Sequence, residues 1–112
     1  MTIYRRNSYP KGSRVVKFGV TIINDIDYVY WSNITMNLDL VTLYRDEILV
    51  SKTFESAEWR FQNMEKNLSW LLKDAYILET KGSEENRECL KDLVSLAYLM
   101  LEKSAEHIYT LK

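Results

Sequence analysis

The sequence predicts an α+β fold, with an antiparallel sheet of about four strands followed by a long αα-hairpin packed on one face. Three observations point there. Apolar residues alternate with polar ones at Val16, Phe18, Val20 and Ile22, and again at Ile34, Met36, Leu38 and Leu40, the period of half-buried strands. From Ser56 the period lengthens to that of a helix, with Phe61, Met64, Leu68, Leu71, Leu72 and Ala75 on one stripe. Lys81-Gly82-Ser83 then breaks that pattern with a helix-stop glycine and a helix-start serine before a second apolar run.

Taken in order, residues 1–14 read as a basic extended arm, with a turn at Pro10-Lys11-Gly12-Ser13. Residues 15–54 read as an antiparallel meander. Its strands are Val15–Asn24, Tyr28–Trp31, Ile34–Tyr44 and Ile48–Phe54, joined by polar turns at Asn24-Asp25-Ile26-Asp27, Ser32-Asn33 and Arg45-Asp46-Glu47. A helical reading of residues 34–44 also fits, because leucine and methionine favour helices. Residues 56–110 form the helical hairpin. Ser56 is the expected N-cap of its first helix, and Glu84, Glu85 and Glu88 suit the start of the second. Within the second helix, Leu90–Leu101 is apolar almost all round, so it is expected to be buried on several sides. No linker divides residues 1–112, and the chain reads as a single domain.

At 112 residues, 46% apolar and 28% charged, the chain has the balance of a water-soluble globular domain. Cys89 is the lone cysteine, which excludes an internal disulfide and suggests a reducing, cytoplasmic setting. No apolar run reaches the roughly 20 residues a membrane helix needs, and no leader is expected. Residues 1–17 hold Arg5, Arg6, Lys11, Arg14 and Lys17 without an acid. The remainder sets ten bases against sixteen acids, a balance of −6. Phe, Tyr, Met, Ile, Asn and Lys are favoured over Gly, Ala, Arg and Pro, a bias associated with AT-rich coding sequence.

Catalytic chemistry has little to stand on. His107 is the sole histidine and sits near the end of the last helix, where a dipole-satisfying role is commoner than catalysis. Cys89 has acidic neighbours that disfavour the thiolate. One Cys and one His do not make a zinc site, and Asp25 with Asp27 lacks the rest of a calcium loop. Phosphate-loop, dinucleotide and hydrolase motifs are absent from the sequence. The expectation is a non-enzymatic protein with no cofactor and no metal.

Binding is better supported, in two forms. The first is nucleic acid or an acidic partner, held by Arg5, Arg6, Lys11, Arg14 and Lys17 with Tyr28 and Tyr30 on the open sheet face. Bases neutralise phosphates, and tyrosines stack on unpaired bases. Four strands and a helix over residues 15–78, with Phe54-Glu55-Ser56-Ala57-Glu58-Trp59 at the junction, loosely resemble in layout the subunit of coactivator-type single-stranded DNA binders. The chain departs from that family at Arg45-Asp46-Glu47, where the family's basic, glycine-containing approach is missing, and in having a second long helix.

The second form is protein contact. The hairpin offers more apolar surface than one small sheet can cover. Trp59, Trp70, Ile77, Leu96, Leu99 and Met100 are therefore the candidates for self-association as a homodimer. The favoured expectation is a small interaction protein that binds a macromolecular partner. Accessory and inhibitor proteins of phages, viruses or mobile elements often act this way. A single-stranded DNA or RNA binder is the alternative.

Overall fold

The computed structural model describes Gly19, Val20, Ile22 and residues 25–112. Among these residues there are three long α-helices and no strand. They are α1 (Asp25–Val50), α2 (Phe54–Lys81) and α3 (Arg87–Thr110), with a 3₁₀ turn at Glu84–Asn86 leading into α3. The expected α+β fold is thus corrected to an all-α three-helix bundle. The layout comparison with the single-stranded DNA binders falls with the sheet. The first expected strand and the arm lie outside the described residues, apart from Gly19, Val20 and Ile22, which are not in a strand.

The physical reason is visible in which side chains are buried. Trp31, Ile34, Leu38, Val41 and Ile48 form the inward stripe of α1, at steps of three, four, three and seven. That is helical spacing. Met36, which completes the two-residue alternation, is exposed, while Thr35 and Asn37, expected on an outer strand face, are buried. A helix can bury those polar groups because local carbonyls satisfy them. Thr35 donates to the Ser32 carbonyl at 3.2 Å and Asn37 to the Asn33 carbonyl at 3.0 Å. The presumed turns Ser32-Asn33 and Arg45-Asp46-Glu47 lie within the helix. Asp25 and Asp27 serve its first turn, where acids match the dipole.

The hairpin is closer to expectation, with shifted ends. Thr53, three residues before the expected Ser56, caps α2 by accepting the Ser56 N–H at 3.3 Å. α2 ends where glycine predicted. The Gly82 N–H donates to the Leu78 carbonyl at 2.9 Å, and a Cβ on Gly82 would lie 2.6 Å from that same oxygen. Only glycine fits this approach without rearrangement. Leu90–Leu101 is not buried on several sides: Leu90, Leu93, Ala97 and Met100 face the core, but Leu96 and Leu99 are exposed.

The chain runs up, down and up, so α1 and α2 are antiparallel, as are α2 and α3. Two polar clamps fix the first pairing. Asn67 donates to the Asn37 side-chain oxygen at 3.0 Å inside the interface. Asp27, fully buried, accepts from the Ser83 N–H at 3.1 Å and the Ser83 hydroxyl at 2.5 Å, fastening the start of α1 to the α2–α3 turn. Met64, Leu68, Leu71, Ala75 and Leu78 complete the core from α2. α3 joins α1 through Met100, whose sulfur accepts from Thr42 at 3.5 Å, and His107, whose Nε2 lies 3.5 Å from the Ser51 carbonyl oxygen.

The continuity of α1 separates the two readings of residues 25–50. Proline fits a turn after Ser32 but not a helix interior, so Asn33→Pro is expected to cost about 3 kcal/mol or more. Urea unfolding followed by far-ultraviolet circular dichroism measures this; a loss under about 1 kcal/mol is what a turn at that position would give.

Candidate functional site

A wide apolar opening follows from a second line of residues on α2. Beside its core stripe, Leu72, Ala75, Tyr76 and Glu79 recur at steps of three, one and three, so they share a neighbouring face. On α3, Arg87, Leu90, Lys91, Val94 and Ser95 do the same. These two rows line a groove of about 820 Å³ between α2 and α3. Its floor is Leu72, Ala75, Leu90 and Val94; Glu79, Arg87, Glu88 and Lys91 ring it with both signs of charge. A second depression, of about 830 Å³, shares Leu72 and Tyr76 with it. It crosses α2 over Ser69 and Lys73 and is also lined by Leu68, Ile77, Leu101 and Tyr30. Farther along the same α2–α3 seam, Phe54, Phe61, Ile108 and Tyr109 line a smaller hollow of about 250 Å³. The seam is open along much of its length, whereas α1 and α2 are closely paired.

The residues expected to self-associate divide. Trp59, Trp70, Leu96 and Leu99 are exposed, and Ile77 is half-buried in the second depression. Met100, 4% exposed, belongs to the core against Thr42. Of the residues expected to bind nucleic acid, Arg5, Arg6, Lys11, Arg14 and Lys17 lie outside the described residues. Tyr28 and Tyr30 lie in the first turns of α1, half-buried, and not on an open sheet face. Tyr30 packs against the core and reaches the same depression as Ile77.

Sequence reasoning missed the groove and a further apolar face on α1, formed by Met36, Leu40 and Leu43. Their spacing of four and three was legible as a helical stripe, but only after residues 25–50 were read as one helix. Among the described residues no group of three or more His, Cys, Asp and Glu side chains could hold a metal ion. No described helix is long and apolar enough to cross a membrane. Cys89 is half-buried, its sulfur 3.8 Å from the Gly19 carbonyl oxygen.

Asp74 borders both the second depression and a shallow hollow between α1 and α2. Burial alone raises its pKa above the ordinary carboxylate value. The unfolded chain therefore ionises first as pH rises, so this group lowers stability across that interval and above it. Asp74→Asn should remove the loss and stabilise the fold slightly at neutral pH, by under about 0.5 kcal/mol because the carboxylate is partly solvated. Urea midpoints at acid and neutral pH report it: wild type and variant should converge at the acid end.

No family model, curated protein or solved structure matches this chain.

Proposed function

We propose that this is a small non-enzymatic interaction protein that receives an apolar helical segment of a protein partner in the α2–α3 groove. The observation carrying this reading is the groove itself: about 820 Å³ lined by Leu72, Ala75, Leu90 and Val94 and rimmed by charge, in a bundle whose core is already filled. Grooves of that kind take amphipathic helices, with apolar anchors in the floor and polar groups meeting the rim. The opposed charges of Glu79 with Glu88 and Arg87 with Lys91 would set the register of such a helix by pairing at its edges. The composition and size suit an accessory or inhibitor protein of a phage, virus or mobile element, acting by occupying its partner's surface. The lone thiol of Cys89 suits a reducing cytoplasm.

Affinity capture from the native host with the full chain tests the reading, with Tyr76→Glu and Val94→Lys together as the comparison. The wild type should retain a specific protein, and the double variant, with an unchanged helical spectrum, should lose most of it. Equal capture by both would overturn the groove assignment. A salt-sensitive mobility shift of single-stranded nucleic acid, abolished by deleting residues 1–14, would transfer the function to the basic arm.

A further inference from the structure

The outward face of α1 lies away from the α2–α3 groove and carries an independent inference. From Tyr28 to Tyr44 the helix contains one charged residue, Asp39. Helices α2 and α3, by contrast, expose charges in most turns, among them Glu58, Glu65, Lys66, Glu79, Lys91, Asp92 and Glu102. A helix with one face in water ordinarily carries charged or polar residues on that face, whereas the outward stripe here is Met36, Leu40 and Leu43. Depletion of charge together with Met and Trp enrichment marks the core of a protein interface.

The patch is continuous across the α1–α2 pair. Met36 and Leu40 share a hollow with Trp70, edged by Lys73 and Asp74. Leu43 follows one turn beyond Leu40 on the same stripe. One turn farther, Glu47 accepts from the Arg60 guanidinium at 3.0 Å, and Arg60 lies 5.4 Å from the centre of the Trp59 ring. Trp59 and Trp70 are eleven residues apart on α2, which places them on one face. Exposure is 57% for Trp59, 48% for Trp70, 46% for Met36 and 48% for Leu43. Two half-exposed indoles present on the order of 250 Å², and the three aliphatic side chains raise the apolar patch to about 500 Å². A stable dimer of ordinary size buries about 800 Å² per partner, a little over half of it apolar. The patch supplies that apolar share.

We propose that this face pairs two copies of the chain, with α1 lying antiparallel to the partner copy's α1 about a two-fold axis near Leu40. Charge selects both the occupant and the direction. A stripe without charges has nothing to match on a charged foreign surface, but it matches itself. α1 as a whole holds five acids, Asp25, Asp27, Asp39, Asp46 and Glu47, against Arg45. Parallel pairing would set Asp46 and Glu47 beside their own copies, whereas antiparallel pairing leaves only Asp39, next to the axis, near its copy. Antiparallel pairing places Met36 opposite Leu43 and sets Asp46 and Glu47 against the uncharged Asn33 and Ser32 of the other α1.

Sedimentation equilibrium on the full chain tests this, alongside Met36→Lys with Leu43→Glu. Both positions are about half exposed, so the helical spectrum should stay unchanged. Wild type should be dimeric at tens of micromolar, and the double variant should dimerise about 100-fold more weakly or not at all. A Leu40→Cys chain on a Cys89→Ser background should form a disulfide-linked dimer on mild oxidation, because the two thiols meet at the axis. The matching Tyr98→Cys chain should not. A wild type that stays monomeric at several hundred micromolar overturns the proposal. So does a dimer that survives the double substitution, since it would use another face.

Discussion

The bundle depends on the antiparallel pairing of α1 with α2, and one buried contact fixes the register of that pairing. Asn67 donates to Asn37, while Asn37 donates back to its own helix at Asn33. Sliding α1 by a turn would break the bond between them and leave the Asn67 N–H and the Asn37 side-chain oxygen unsatisfied, at about 1–3 kcal/mol for each unsatisfied group. Apolar stripes alone tolerate such slips, because leucine packs against leucine at several registers. The Asp27–Ser83 clamp works at the other end of the pair, holding the α2–α3 turn in place. With α1 and α2 locked, α3 has a defined surface to settle on. It attaches through Met100 and His107 toward α1 and leaves its seam with α2 partly open.

That asymmetry gives the molecule two distinct apolar surfaces. The α2–α3 groove is concave and rimmed with charge, a shape suited to a helical segment of another protein. The α1 face carries the uncharged stripe Met36, Leu40 and Leu43, the surface that the proposed dimer would cover. The two lie on different sides of the bundle, so a pair of chains joined through α1 would still present two grooves. Two grooves on one assembly would also raise the effective affinity for a partner with repeated or symmetric sites.

How far the sequence revealed this differs by helix. The hairpin was legible because α2 and α3 each bury one stripe, and because Gly82 sits where only glycine clears the Leu78 carbonyl. α1 was not legible as a whole. Its inward stripe, Trp31, Ile34, Leu38 and Val41, has helical spacing. Its outward residues Met36, Leu40 and Leu43 fill the gaps and mimic a strand's alternation. The same surplus of apolar residues that disguised the helix is what makes its outer face a candidate interface. The surplus of apolar surface expected of the hairpin falls on Trp59, Trp70, Ile77, Leu96, Leu99 and Met100, of which Trp59, Trp70, Leu96 and Leu99 are exposed and Met100 is buried. On α1 the exposed apolar residues Met36 and Leu43 adjoin the α2 indoles in a stretch with a single charge, Asp39. The open groove was invisible for a different reason: whether two helices close or splay depends on how a third is wedged against them.

In the proposed dimer a second copy of the chain covers α1 on its outward side. Isotope-filtered nuclear Overhauser measurements on a mixture of labelled and unlabelled chains address this contact by contact. Cross-peaks between the Met36 methyl of one chain and the Leu43 methyls of the other are the predicted result. Intermolecular cross-peaks confined to residues of the α2–α3 seam, such as Val94 and Leu101, would contradict it.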